Sequence, residues 1–156
     1  MVLVAPEVTR AHVERELSEV SAWAQARRWG PQWDSEALRL ALTLTSAVDG
    51  EVYRLQVAFN DYRARPPLFE FLHPETNEVG TRRCYPKGGR GYFHPQPVVC
   101  APWNRKAYGA LGGPHSEWVM AGWASQRPNH TRLGDMLVLL QELVDDRDSY
   151  AGRMAR

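Results

Sequence analysis

The amino-acid sequence predicts an α+β fold in which helices pack on an antiparallel sheet. Apolar residues recur at helical spacing near both ends of the chain, and between these segments they alternate with polar residues as in strands. Asp49-Gly50 separates two of the alternating segments, as a hairpin turn does. The predicted order is a first helix, a meander of three strands, an irregular region and a last helix.

The first helix opens at Pro6-Glu7. The apolar residues that follow recur at helical spacing, at Val13, Leu17, Val20 and Ala24. Arg27-Arg28 and then Gly30-Pro31 supply the stop signals, because glycine and proline end helices. The segment is therefore predicted to form one amphipathic helix.

Three strands follow the first helix. From Ala37 the apolar residues alternate with polar ones, at Leu38, Leu40, Leu42 and Leu44. After the Asp49-Gly50 turn the same period returns, at Tyr53, Leu55, Val57 and Phe59. A third strand, Leu68 to Leu72, follows Pro66-Pro67. One face of this meander is apolar, so it is predicted to lie on the helices.

Residues 73 to 128 show no sustained periodicity and are rich in glycine, proline and aromatic residues. A loop of this length inside a compact domain is functional or hides an element. The aromatic residues favour packing over disorder; they include Tyr92, Phe93, Trp103, Trp118 and Trp123. We expect an ordered region that carries the functional site.

The last helix is predicted from Thr131 to Val144. Thr131 is a suitable N-cap residue, and Asp135 places a negative charge in the first turn. The apolar stripe consists of Leu133, Met136, Leu137, Leu140, Leu143 and Val144. We expect this stripe to pack on the sheet.

The composition predicts a single cytosolic domain over residues 1–156. A formal net charge of +1 indicates neither a nucleic acid nor a lipid surface as the partner. The first residues lack the basic lead and apolar run of a secretory signal, and no segment approaches the length of a membrane span. In a reducing compartment Cys84 and Cys100 remain thiols, so both are open to chemistry.

Short motifs resemble those of ubiquitin-conjugating enzymes. The segment from Tyr62 to Phe71 has the tyrosine, the proline pair and the short strand ending in phenylalanine of that family. The dipeptide His94-Pro95 and then Cys100 and Trp103 follow in the family's order. The resemblance spans Glu7 to about Asp146, and it implies a ubiquitin-conjugating-like (UBC-like) α+β fold. The proline pair and the aromatic residues also have a sufficient structural role, because they fix the turn into the third strand.

The sequence departs from the family pattern in three places. Gln96 stands where the family has an asparagine, and the step from His94 to Cys100 is only six residues. A segment with Cys84 and a glycine cluster is inserted before His94, and the later helices of the family are missing. The chain is therefore similar to compact bacterial relatives from ubiquitin-like conjugation systems, and antiviral defence is implied by that likeness alone.

The resemblance implies that Cys100 carries a ubiquitin-like protein as a thioester. The implied partners are that ubiquitin-like protein, a ubiquitin-activating-type enzyme and an acceptor protein, with no cofactor, metal, nucleic acid or membrane. Two alternatives stay open. One is a non-catalytic binding module of the same fold, and the other is a cysteine hydrolase that pairs Cys100 with His94 or His130.

Thioester transfer needs an accessible thiol and a hydrogen-bond donor for the developing oxyanion. Cys100 lies in a proline-bounded extended stretch that favours a presented loop, although it can equally be a buried small residue beside Val98 and Val99. His94 and Asn104 are the first candidates for the donor, and Gln96 and His130 follow. Each has a structural alternative, as a turn or a helix cap.

Three further hypotheses concern Cys84, a metal site and the glycine cluster. Arg82-Arg83 would lower the pKa of the Cys84 thiol if their charges lie close to it, but the motif order favours Cys100 as the nucleophile. A metal site would have to gather ligands without paired spacing, from Cys84, Cys100, His73, His94, His115 and His130. The Gly88-Gly89-Arg90-Gly91 cluster lacks the lysine, hydroxyl and strand-to-helix context of a phosphate loop.

Overall fold

The computed structural model describes residues 1–79, 81–110 and 118–155 and shows an α+β fold with two antiparallel sheets. The helices are α1 (Pro6–Glu19), α2 (Ser21–Ala26), α3 (Arg105–Ala110), α4 (Trp123–Gln126) and α5 (Leu133–Asp145). The strands are β1 (Gln32–Asp34), β2 (Arg39–Thr45), β3 (Val52–Ala58), β4 (Leu68–Leu72), β5 (Pro86–Gly88), β6 (Phe93–His94), β7 (Val98–Val99) and β8 (Tyr150–Arg153). The predicted class and the order of the main elements are confirmed.

The larger sheet is an antiparallel meander in the order β1-β2-β3-β4. Its register aligns Leu42 with Leu55 and Leu55 with Phe71, so one face of the sheet is continuous and apolar. The residues of that face that alternate along β2 and β3 are fully buried. The three predicted strands are confirmed, and the structure adds the short β1 at the edge.

The core lies between this sheet and the helices. Helix α5 contacts β2 and α1, and its buried residues are those of the predicted stripe together with Leu139 and Gln141. Leu137 is fully buried in the core. The predicted packing of the last helix on the sheet is therefore confirmed.

The boundaries of the first and last helices differ from the prediction. The first helical segment is broken at Val20 into α1 and α2. The prediction that Thr131 caps the last helix is wrong, because Arg132 is the N-cap residue and no side chain of its own segment caps the helix. Instead the buried carboxylate of Glu16, from α1, accepts the backbone N–H of Leu133 at 2.7 Å. A cap supplied across the fold leaves no local sequence signal.

The irregular region contains a small second sheet in the order β7-β6-β5-β8. Its last strand, β8, comes from beyond α5 and pairs with β5 through Pro86 and Gly88. A side chain at Gly88 would overlap the carbonyl oxygen of Ser149, and Gly88 has a φ of +86°. The glycine cluster is thus a tight turn against β8. Residues 111–117, with Gly112, Gly113, Pro114 and His115, lie outside the described residues.

Candidate active site

Cys100 directly follows β7 at the base of the β6–β7 hairpin. Phe93 pairs with Val99 and His94 with Val98, and the backbone N–H of Cys100 donates to the Tyr92 carbonyl at 2.7 Å. The prolines of the connecting turn fix its φ angles and suit a chain reversal. The sequence therefore folds here into a short hairpin with the cysteine at its end.

The two faces of this hairpin have different surroundings. Phe93 and Val99 point into the hydrophobic core. Because side chains alternate along a strand, Tyr92 and His94 lie on the opposite face, which is also the face of Cys100. His94 is diagonal to Cys100 across the hairpin, a position typically about 7–8 Å away between the two backbones. The register thus places two of the predicted site residues on one face of the hairpin, without a described contact between them.

The Cys100 thiol is partly exposed and free. Its Sγ makes no hydrogen bond to any residue in the described parts of the chain. Burial raises the pKa of this thiol above its usual value, so the neutral form dominates at pH 7. The site presents a thiol that is reachable but not activated by a neighbouring base.

His94 has a defined orientation. Its Nδ1 accepts the backbone N–H of Gln96 at 3.0 Å, in the turn that leads to β7. A neutral imidazole that accepts at Nδ1 carries its hydrogen at Nε2, so the Nε2–H group is the donor of this side chain. The imidazole is partly exposed, whereas the Gln96 side chain is fully on the surface of the turn.

Asn104 is fully buried and its amide is occupied by backbone groups. Its Oδ1 accepts the N–H of Phe69 at 2.9 Å, and its Nδ2 donates to the Val99 carbonyl at 2.8 Å. These bonds tie β4 to the strand that ends at Cys100. The geometry supports a positioning role for Asn104, and its predicted role as an oxyanion donor stays a prediction.

Trp103 packs between β4 and the hairpin residue opposite Cys100, Tyr92. It is 1% exposed and packs edge to face on Phe69, with ring centroids 5.1 Å apart, and stacks on Tyr92 at 6.5 Å. Its indole N–H has no hydrogen-bond partner among the described residues. Sequence reasoning used Trp103 only as part of a motif and did not detect this unpaired buried donor, which no local pattern signals.

Backbone donors next to the cysteine are already used. The Cys100 N–H bonds to Tyr92, and the Ala101 N–H bonds to the Val99 carbonyl at 3.1 Å. Neither group is therefore a preformed oxyanion hole.

Cys84 lies apart from this chemistry. It is 2% exposed within the core, and the only atom within hydrogen-bonding range of its Sγ among the described residues is Thr81 Oγ1, at 3.9 Å. Arg82 is turned away, since its guanidinium donates to the Pro95 and Ala155 carbonyls. Cys84 is placed as a packing residue.

The remaining histidines are not brought to Cys100 by any described contact. His73 Nδ1 accepts backbone N–H groups of Glu75 and Thr76, both at 3.3 Å. His130 lines a groove between α2 and α5, and its buried Nδ1 has no partner in the described residues. Within the same residues no three potential ligands cluster as a metal site requires, while His115 lies outside them.

Comparisons with known proteins do not assign this chain to a family. No model of a known protein family matches the chain, and no curated protein matches it either. No helix among the described residues is both long and apolar enough to cross a bilayer. The site therefore consists of a free, partly exposed thiol on a hairpin that buried aromatic residues and Asn104 hold in place.

Proposed function

We propose that the protein is a conjugating-type transferase that carries a ubiquitin-like protein as a thioester on Cys100. The observation that carries this proposal is the partly exposed Cys100 thiol on a hairpin supported by Trp103 and Asn104. The motif resemblance at Tyr62 to Phe71 and at His94-Pro95 supports it. The proposal includes the UBC-like identity of the fold and a cytosolic location, where both cysteines stay reduced.

The proposed reaction has two acyl transfers. In the first, the Cys100 sulfur attacks the carbonyl carbon of a thioester on an activating-type enzyme. A new carbon–sulfur bond forms, the old one breaks, and the departing thiolate takes the proton released from Cys100. In the second, an acceptor amine attacks the same carbonyl carbon. A carbon–nitrogen bond forms, the Cys100 thiolate leaves, and the proton lost by the nitrogen returns to it.

The raised pKa of Cys100 affects both transfers, because the thiolate is the nucleophile in the first and the leaving group in the second. Burial keeps the free thiol mostly neutral, so the first transfer depends on the small thiolate fraction that cysteine retains near neutral pH. A less stable thiolate is also a poorer leaving group. The thioester on Cys100 should therefore persist until an acceptor or a partner protein promotes its discharge.

We assign the oxyanion donor to His94. Its Nε2–H is the free donor of a half-exposed imidazole on the same hairpin face as Cys100. Asn104 is assigned as a positioning residue, because its amide oxygen and nitrogen both bond to the backbone. The distinction is testable, since a lost oxyanion donor typically slows the chemical step by about 10²–10³.

The test of the carrier role is a charging reaction with the cognate activating-type enzyme, its ubiquitin-like protein and ATP, read on a non-reducing gel. We expect an adduct that disappears with thiol reductant. Cys100→Ser should form at most an ester that resists the reductant, and Cys84→Ala should charge normally. A reductant-sensitive adduct that persists in Cys100→Ser would exclude Cys100 as the carrier.

The donor assignment is tested by single-turnover discharge of the preformed thioester to a free amine. His94→Ala should slow discharge about a hundredfold, whereas Gln96→Ala and His130→Ala should stay within about threefold of the parent protein. If His94→Ala also stays within about threefold, the donor is another group and the assignment to His94 fails.

A second candidate function is a binding module that holds the ubiquitin-like protein or its activating enzyme without chemistry. The observation that favours it is the lack of a hydrogen bond to the Cys100 sulfur among the described residues, since a module without chemistry needs no activating base. Binding that survives Cys100→Ser, with no adduct on the parent protein, would establish it. The cysteine hydrolase hypothesis gains no support, because no histidine among the described residues forms a hydrogen bond with Cys100 Sγ.

A further inference from the structure

A groove of about 460 Å³ lies between α2 and α5, outside the cysteine hairpin. We call it the α2–α5 groove and define it by the residues Val20, Trp23, Asp135, Val138, Leu139 and Glu142. An ion pair lies at each end of the groove. Arg132, the N-cap residue of α5, pairs with Glu19 of α1 through contacts of 2.7 and 3.0 Å, and Arg27 pairs with Asp145 at 2.6 Å.

Apolar side chains lie at the base of the α2–α5 groove, and the rest of its exposed lining is mostly polar. Val20 and Leu139 are almost fully buried beneath it, and Val138 packs against the core. Trp23 stands at its side with 46% of its surface exposed. An exposed tryptophan beside apolar side chains is a feature of protein interaction sites, because its ring supplies a large contact area at little entropic cost.

The α5 side of the groove carries uncompensated negative charge. Asp135 and Glu142 are exposed, and neither forms an ion pair within the described residues. Seven residues separate them, which is two helical turns or about 10.5 Å on one face. Arg132 does not neutralise them, since Glu19 occupies its guanidinium. On the groove side of α5, Asp135 and Glu142 are exposed at the two ends, Val138 is partly exposed between them, and Leu139 lies beneath.

His130 adds a polar contact at the start of α5. Its Nδ1 is buried from solvent and lacks a partner among the described residues, and its ring lines the groove. A buried ring nitrogen without a partner costs free energy that a hydrogen-bonding ligand would recover. This observation is independent of the carboxylates and points to the same groove.

We propose that the α2–α5 groove binds an amphipathic helix of a partner protein whose contacting face reads basic, apolar, apolar, basic at positions i, i+3, i+4 and i+7. This pattern places the basic residues opposite Asp135 and Glu142 and the apolar residues against Val138 and Trp23, and helices commonly dock into grooves through these positions. A cationic side chain also stacks favourably on Trp23. The inference does not depend on the thioester chemistry of Cys100.

The test uses a fluorescein-labelled, alanine-rich helical peptide that carries Lys at i and i+7 and Leu at i+3 and i+4. Fluorescence anisotropy should show saturable binding that weakens as salt is added. Glu142→Lys should weaken binding by about threefold or more, because one attraction becomes a repulsion. Trp23→Ala should weaken it as well, and circular dichroism confirms that each variant is folded.

The matched control is Glu36→Lys, an equal charge change at an exposed residue outside the groove. It should bind the peptide like the parent protein. The proposal is overturned if Glu142→Lys and Glu36→Lys bind alike, or if a peptide with Glu in place of both Lys binds equally well. It also fails if the basic peptide shows no saturable binding at about 1 mM. Charging of Cys100 is measured separately and does not enter this comparison.

Discussion

Replacing Asn104 by alanine separates a positioning role from a direct catalytic role. The change removes the acceptor of the Phe69 N–H, which is buried and has no other described partner. An orphaned buried N–H costs about 1–3 kcal/mol. The Val99 carbonyl loses one bond but keeps the Ala101 N–H, so this second loss costs only about 0.5–1.5 kcal/mol.

The expected loss of stability for Asn104→Ala is therefore about 1.5–4.5 kcal/mol. For a domain of this size that corresponds to a fall in Tm of roughly 3–18 °C. Urea denaturation followed by tryptophan fluorescence measures the free energy of unfolding, and calorimetry measures Tm. Asn129→Ala is the matched control, because Asn129 is an exposed asparagine, and it should change stability by less than about 0.5 kcal/mol.

Two results would refute this reasoning. If Asn104→Ala unfolds with a free energy within about 0.5 kcal/mol of the parent protein, its buried bonds do not hold the cysteine segment. If stability is unchanged while discharge of the Cys100 thioester falls about a hundredfold, Asn104 is the oxyanion donor and the assignment to His94 is wrong. A positioning residue instead lowers stability and slows charging and discharge together.

The remaining predictions concern the thiols and the core. Because burial raises the pKa of Cys100, iodoacetamide should alkylate Cys100 in the folded protein with a pH midpoint above that of the same thiol in the unfolded chain, and a lower midpoint would contradict the burial argument. Cys84→Ala should leave that alkylation rate unchanged, as mass spectrometry of the modified peptide can verify, since Cys84 is inaccessible. Leu137→Ala should destabilise by about 2–5 kcal/mol in urea denaturation, and a change below about 0.5 kcal/mol would place the side chain at the surface. Glu16→Ala leaves the Tyr62 O–H and the Leu133 N–H without an acceptor and should cost about 2–6 kcal/mol, against a negligible effect for the exposed Glu7→Ala.

The larger sheet could be predicted from the sequence because its information is local. Period-two alternation from Leu38 to Phe59 and the Asp49-Gly50 turn specify β2 and β3, and Pro66-Pro67 marks the entry to β4. The second sheet could not be predicted in the same way. Strands of two to four residues show too few alternations to reveal a period. In addition, β8 pairs with β5, which lies more than sixty residues earlier in the chain, so no local pattern indicates the pairing.

The candidate site shows the same division between local and distant information. The proline-bounded stretch around Cys100 predicted a presented cysteine, and the thiol is partly exposed. The environment of Asn104 could not be read from its neighbours in sequence, because the Phe69 N–H that it satisfies lies 35 residues away. Thr131 failed as a cap for the same reason, since Glu16 from α1 performs that function at a separation of 117 residues.

The pairing of β8 with β5 sets an order of events during synthesis. The larger sheet spans residues 32–72 and can assemble on the ribosome while the rest of the chain is still being translated. The sheet that holds the Cys100 hairpin has to wait for Tyr150–Arg153, because β5 pairs with β8 on one side and with β6 on the other. Such non-local pairing forms slowly. A nascent chain therefore acquires the organised Cys100 hairpin only after Tyr150–Arg153 has left the ribosome, whereas the larger sheet needs nothing beyond Leu72.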